Sequence, residues 1–341
     1  MDTKKPRQKP GNIFDAFTKR MFGQLLVFVD FLLNYADPKF VAAVDLKKIR
    51  PAPTHYLGSQ GDERVADLVF LCPLKNGRGT LMAVIIFEHQ SGSLKKIPRK
   101  LHKYISAIWA LEEKGGKPLS APYFIVIRTG KKPHRKPYPT MADSLPKDEN
   151  GKPIGKLVEV GYDVVDLPAK NFNDLTGGPE LRLALGLLKR MTEDAGLEFA
   201  EALLPLSEIP DGSRRIDLAK EVLPFVAKVF AARNRRLDEI AVSEALDPVF
   251  EDKDMMKTIF EEKYDTGFAE GKAEGKAEGK AEGEVKKGRE MLLKILRARF
   301  NRVPKEVETA IRSMNDPVAL DSWAVHAATC QSMAEFSQAV R

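Results

Sequence analysis

Residues 65–91 read VADLVFLCPLKNGRGTLMAVIIFEHQS, and this stretch decides the fold. Two runs rich in Val, Ile, Leu and Phe flank a short segment that contains Asn76-Gly77. Asn-Gly between two apolar runs is a strong signal for a turn that joins antiparallel strands. The stretch therefore predicts a β-hairpin, and the rest of the chain is interpreted outward from it.

The hairpin places acidic side chains on one face of the sheet. A loop centred just after Gly77 pairs Asp67 with Glu88, whereas a loop closed on Asn76 and Gly77 alone shifts the pairing by two residues. Side chains alternate along a strand, so Asp67, Glu88 and Gln90 share a face in either register. Opposed side chains lie about 5 Å apart, a separation at which like charges destabilise a sheet.

Two such carboxylates among apolar neighbours predict a cation site. Burying an unpaired carboxylate costs several kcal/mol, so Asp67 and Glu88 need a positive partner. Carboxylate oxygens suit a hard cation such as Mg²⁺, which retains several waters and completes its shell with a substrate phosphate. The alternative is that Asp67 caps a strand end and Glu88 lies at a solvated strand end.

Length and composition predict a soluble, multidomain protein. The chain has 341 residues, 43% of them hydrophobic, and a formal net charge of +7 with locally grouped cations, so we expect a polyanionic partner. Cys72 and Cys330 have neither metal-ligand spacing nor a disulfide pattern. The basic start lacks a signal-peptide pattern and no apolar run reaches about 18 residues. We therefore expect a cytoplasmic protein without a membrane partner.

Two basic segments follow the predicted acidic strands. A helix is predicted over residues 97–114, with Leu101, Ile105, Ile108 and Trp109 as its apolar stripe. The cations at its start and on its polar face are Lys96, Arg99, Lys100 and Lys103. A further buried strand, residues 122–128, leads into a basic loop with Lys131, Lys132 and Arg135. Both segments are either ordinary solvated surfaces or contacts to the backbone of a nucleic acid.

The first helical segment adds one further candidate acid. Residues 12–43 show apolar side chains at spacings of three and four, which predicts helix up to the break at Asp37-Pro38 and beyond. Asp15 and Lys19 form an i,i+4 pair near its start. Asp15 is either a surface ion pair of modest value or a third acidic site residue.

The remaining sequence predicts helices and a repeat. The chain divides into a basic arm (1–11), an α/β core (12–178), an accessory helical region (179–265), a Gly-Lys-Ala-Glu repeat (266–288) and a helical C-terminal unit (289–341). Interior glycines cost a helix about 1 kcal/mol each relative to alanine. The repeat is therefore either a marginal helix or spacer, or a small-residue surface through which two copies associate, together with the C-terminal helices, as a homo-oligomer.

The order of these motifs resembles a known group of nucleases. Asp67, followed by Glu88-His89-Gln90 and then a basic helix, resembles the PD-(D/E)xK nuclease core with Gln90 at the usual lysine position. More narrowly, the chain resembles the Rpn/YhgA-like recombination-promoting nuclease / putative transposase family. The segments that carry this likeness are 14–22, 66–69, 87–91, 104–109 and the Gly-Lys-Ala-Glu tail. Ala66 stands at the motif proline, and residues 128–130 read RTG where relatives tend to have Tyr-His-Gly.

The resemblance implies a fold, an activity and a set of roles. It implies a restriction-endonuclease-like αβββαβ core with a mixed sheet, and Mg²⁺-dependent DNA cleavage in which Mn²⁺ substitutes for Mg²⁺. Asp67, Glu88 and the His89 main-chain carbonyl would hold the metal. The catalytic residues would be Asp67, Glu88 and Gln90. The rival interpretations are a DNA-binding protein with negligible catalysis and a self-association module.

Overall fold

The computed structural model describes residues 13–52, 68–77, 79–88, 94–116, 119–120, 122–153, 159–193, 199–233 and 253–339. The chain forms two compact units, one of residues 11–268 and one that contains residues 269–341. The predicted basic arm, residues 1–11, lies outside the described residues. The domain boundaries drawn from the sequence stay predictions.

The predicted hairpin is confirmed, and its register is the shorter-loop one. Strand β2 (Leu68–Pro73) pairs antiparallel with β3 (Thr80–Glu88), and Leu68 lies opposite Ile85. The register that would pair Asp67 with Glu88 is therefore wrong by two residues. The turn explains the difference: Gly77 adopts a φ of 69°, and its N–H donates to the Leu74 carbonyl at 3.0 Å. Glycine adopts this left-handed conformation without steric cost.

The described residues contain a five-stranded mixed sheet, in which the strands lie side by side in their order along the chain. The short strand β1 (Arg50–Pro51) pairs antiparallel with β2. On the other side, β4 (Pro122–Arg128) and β5 (Asp163–Asp166) extend the sheet in parallel from β3. The predicted α/β class and mixed sheet are confirmed.

Both faces of the sheet are covered by apolar side chains. On one face, Met82, Val84 and Ile86 pack with Leu101 and Ile108 of helix α4 (Ile97–Lys114). The predicted apolar stripe of α4 is wrong at Trp109, which is 37% exposed and donates from Nε1 to the Ser120 carbonyl at 2.8 Å.

The other face carries the helices of the larger core. Phe70, Ile85 and Phe87 pack there with helices α1 (Ile13–Phe22) and α2 (Leu25–Tyr35). Phe28 of α2 stacks on Phe70 with ring centroids 3.6 Å apart. The continuous helix predicted from residue 12 to Asp37 is wrong, because the chain breaks at Gly23. A Cβ there would lie 2.4 Å from the Lys19 carbonyl oxygen.

The predicted end of this segment at Asp37-Pro38 is a new helix start. Helix α3 (Pro38–Ala43) begins with proline in its first turn, and the Asp37 side chain accepts a hydrogen bond from the Lys39 N–H at 2.7 Å. Such a carboxylate satisfies an N–H that the first helical turn leaves unpaired.

The predicted accessory helices complete the larger core. They are α5 (Pro179–Glu193), α6 (Phe199–Leu203) and α7 (Gly212–Ala232). Helix α7 begins at Gly212 because Asp211 caps it, accepting from the Ser213 N–H at 2.9 Å.

The C-terminal residues form helices around a small core. Helix α8 (Lys253–Phe300) contains the Gly-Lys-Ala-Glu repeat, so the repeat is helical. It is followed by α9 (Lys305–Ser313), α10 (Pro317–Thr329) and α11 (Met333–Ala339). Leu292, Leu296, Ile311, Leu320 and Phe336 are buried together. Self-association through the repeat and these helices stays a prediction.

Candidate functional site

Three charged residues form a row at one edge of the sheet. The parallel strands β3, β4 and β5 all end at this edge, and their last residues are Glu88, Arg128 and Asp166. Glu88 is in register with Arg128, and Arg128 with Asp166. Residues in register share a face of the sheet. The strands therefore bring an acid, a base and a second acid together on the α4 side.

Glu88 is the predicted site residue that the structure describes at this edge. Glu88 is half-buried, and its main-chain carbonyl accepts a hydrogen bond from the Thr129 N–H at 3.1 Å. Asp67, His89 and Gln90 lie outside the described residues, so their convergence on Glu88 stays a prediction. Within the described ranges there is no group of three or more His, Cys, Asp or Glu residues that could hold a metal.

Sequence reasoning missed the ion pair beside Glu88. Arg128 Nη1 lies 2.6 Å from Asp166 Oδ1, and both side chains are almost fully buried. Each residue ends an apolar run, Tyr-Phe-Ile-Val-Ile before Arg128 and Val-Val before Asp166. A charged residue directly after a buried strand was the available signal. The pairing itself depends on β4 and β5 being neighbours, which no local pattern reveals.

The two predicted basic segments start from the same edge. Helix α4 and the short turn before it, Leu94–Lys96, follow the end of β3, and a basic loop, residues 131–136, follows the end of β4. Because β3 and β4 are parallel, both segments begin near Glu88. The predicted cations that are exposed in these segments are Lys96, Arg99, Lys103, Lys131, Lys132 and Arg135, and Lys95 and Lys136 are exposed there as well. Lys100 is half-buried, with Nζ 5.5 Å from the centroid of the Tyr104 ring.

Asp15 lies on helix α1, which packs on the opposite face of the sheet from this row. Its carboxylate pairs with Lys19 at 2.9 Å, as expected for an i,i+4 surface pair. Helix α1 packs on the side of Phe87, with Phe22 and Phe87 ring centroids 5.3 Å apart. Glu88 alternates to the other face. The role of Asp15 as a third acid stays a prediction.

A tyrosine stands beside the charged row. Burial raises the pKa of Tyr138, the negative charge of Asp166 raises it further, and Arg128 lowers it. Its ring lies 5.9 Å from that of His134. The pKa of Tyr138 therefore lies above the ordinary value for tyrosine.

The fold and this edge define a mixed α/β protein with an acidic strand end flanked by basic segments. A family model described as "Putative transposase, YhgA-like" matches residues 12–212, more than half of the chain. The chain belongs to this YhgA-like family, which confirms the resemblance seen in the sequence. No curated protein and no solved structure matches the chain. None of the helices in the described ranges has the length and apolar character to cross a membrane.

Proposed function

We propose that this protein is a metal-dependent DNA endonuclease of low sequence specificity that acts in transposition or recombination. The description of its family supports a transposition-related role and contact with DNA. The mixed sheet, with a helix between its parallel strands β3 and β4, is compatible with a restriction-endonuclease-like αβββαβ core. The observation that carries the proposal is the position of Glu88 at the sheet edge from which both basic segments start.

The donors at this edge fit a hard cation. Glu88 is the half-buried last residue of its strand. A carboxylate in such a position can bind an ion that keeps part of its hydration shell. The further oxygen ligands would be Asp67, expected from the hairpin, and the His89 carbonyl, implied by the family resemblance. Asp166 is not a suitable ligand, because its two oxygens accept hydrogen bonds from Arg128 and from the His134 N–H.

In this proposal the metal ligands, Gln90 and the basic segments would have separate roles in hydrolysis. A bound Mg²⁺ or Mn²⁺ would supply Lewis acidity toward a phosphate and lower the pKa of coordinated water. Gln90 has a neutral amide, which can orient a water by hydrogen bonding but cannot accept its proton as a neutral lysine amine does. Charges at the start of α4 and in the basic loop would hold the DNA backbone, so binding would weaken as salt rises.

A plasmid-nicking assay tests the proposal. Supercoiled plasmid is incubated with Mg²⁺ or Mn²⁺ and the wild type, Asp67→Ala or Glu88→Gln. We expect nicking by the wild type and a loss of about a hundredfold or more in each variant, the scale of removing a group that stabilises transition-state charge. Glu113→Gln is the matched control, because Glu113 is exposed at the far end of α4.

Two results would contradict the proposal. Equal nicking by the wild type and both acid variants would show that the activity comes from elsewhere. Retained DNA binding with no cleavage under any divalent metal would identify a DNA-binding protein on this fold.

A further inference from the structure

We propose that the buried Arg128–Asp166 ion pair is a positioning pair that holds the basic loop against the edge that carries Glu88. The loop's exposed cations would then contact the phosphates of a bound duplex. This inference rests on the proposed function, since it assigns the residues that orient part of its DNA contact.

The pair is hydrogen-bonded to the main chain of the loop at two points. Besides their mutual contact, Arg128 donates from Nη2 to the Lys132 carbonyl at 2.9 Å. Asp166 accepts, on Oδ2, from the His134 N–H at 2.7 Å. Both partners therefore contact the main chain of the loop as well as each other.

The loop begins next to the main chain of Glu88. The Thr129 N–H donates to the Glu88 carbonyl, and the chain turns at Gly130, where φ is 141°. L-residues with a side chain rarely adopt that conformation, so glycine suits the turn. The loop thus leaves the sheet directly beside the strand end that bears the acid.

Burial of the pair argues for a geometric role. The two side chains are 6% and 5% exposed, and a buried ion pair is often no more stabilising than apolar residues of similar volume. The property that distinguishes this pair is the fixed direction of its hydrogen bonds. The planar guanidinium presents several donors in a fixed fork, which joins β5 and the loop at once, while the side chains of Lys131, Lys132 and Arg135 stay exposed.

The test separates the loop's position from catalysis. Asp166→Asn keeps the shape but replaces one carboxylate oxygen with an NH2 group, which donates. Arg128 and the His134 N–H bind different oxygens of Asp166, so one of them loses its acceptor. Binding to a labelled DNA duplex is measured by fluorescence anisotropy in Ca²⁺ across a salt series. Hydrogen exchange is followed in the peptide that covers residues 131–138. We expect about tenfold weaker binding, a salt slope smaller by about one to two phosphate contacts, and faster exchange.

Two further variants distinguish a change in the position of the loop from unfolding of the protein. Arg128→Met combined with Asp166→Asn removes both buried charges and should give the same loss of affinity with a cooperative melt. Arg214→Gln breaks another ion pair, which joins Arg214 of α7 to Glu180 of α5 at 2.9 Å and is more exposed than the Arg128–Asp166 pair. It should leave duplex binding unchanged.

The outcomes distinguish this inference from the proposed function. Unchanged affinity in Asp166→Asn and in the double variant overturns the inference even if exchange in the loop rises, because the pair would then be structural only. Unchanged exchange in residues 131–138 overturns it as well. A wild type that binds no duplex contradicts the proposed function and removes the basis of the inference with it.

Discussion

At the scale of single residues, the sheet edge at Glu88 differs from the rest of the sheet because charged residues lie at the ends of its strands. The interiors of β3 and β4 are almost wholly apolar, and both strands end in a charged residue, Glu88 and Arg128. The sequence indicated Glu88, because an acid after Val-Ile-Ile-Phe is conspicuous. It did not indicate Asp166 as the partner of Arg128, because that contact joins positions 38 residues apart.

The thiol of Cys72 gives a prediction with a defined pH dependence. Burial raises the pKa of Cys72 from 9.0 to about 12. Between these values the unfolded chain releases the proton and the folded chain keeps it, so stability falls as pH rises above 9. We expect this group to cost up to about 1.4 kcal/mol per pH unit in that window. Chemical denaturation of the wild type and of Cys72→Ala at pH 8 and pH 10 measures the difference.

The two proteins should respond differently to alkali. Cys72→Ala is expected to be less stable at pH 8, because it loses buried volume, but to lose less stability on going to pH 10. An identical loss in both proteins would show that the Cys72 thiol does not retain its proton in the folded state.

At the scale of elements, the hairpin and the helices were predictable from the sequence. The exact turn and the helix ends that connect them were not. Asn76-Gly77 indicated a turn, but it permits two loop lengths, and the hydrogen bond from the Gly77 N–H to Leu74 selects the shorter one. Apolar spacing runs through residues 13–35 without a gap, so the break at Gly23 was hidden. At Gly23 the main chain approaches the Lys19 carbonyl oxygen too closely for a side chain, a contact that the apolar spacing does not reveal.

Helix α2 offers a matched stability test. Phe28 is fully buried and stacked on Phe70, whereas Leu26, two residues earlier, is 67% exposed. We expect Phe28→Ala to lower the free energy of unfolding by about 3–5 kcal/mol, from lost burial and a cavity. Leu26→Ala should change it by about 0.5 kcal/mol or less. Urea denaturation measures both, and similar values for the two would contradict the packing of α2 on β2.

The start of α4 makes a prediction about DNA affinity. Lys96→Ala with Arg99→Ala should reduce the salt slope of duplex binding by about 1.8, the value for two lost phosphate contacts. Lys47→Ala with Lys75→Ala removes the same charge at the opposite edge, where Lys75 donates to the Ala42 carbonyl at 2.8 Å. Equal effects of the two double variants would indicate a response to net charge alone.

At the scale of the whole molecule, the two units make separable predictions. Tyr264 is fully buried in the core of the first unit, so a shortened chain must extend to Phe268 to keep that core. We expect a protein that ends after Phe268 to retain its melting transition and its plasmid nicking within about threefold, since all the proposed site residues precede that point. Thermal melting and the nicking assay test this.

The same two proteins test self-association. Light scattering of the full chain and of the shortened chain compares their masses. A full chain that is larger than its monomer, beside a monomeric shortened chain, would support association through the repeat or the C-terminal helices. Equal stoichiometry in both would favour a spacer role for the repeat.

The central claim is that Glu88 and Asp67 hold one divalent ion between them. Titration of the protein with Mn²⁺, followed by electron paramagnetic resonance of the free ion, tests it without any need for turnover. We expect one site in the wild type and in Glu113→Gln, and its loss in both Glu88→Gln and Asp67→Asn. Unchanged Mn²⁺ binding in the two acid variants would show that these carboxylates do not hold the ion.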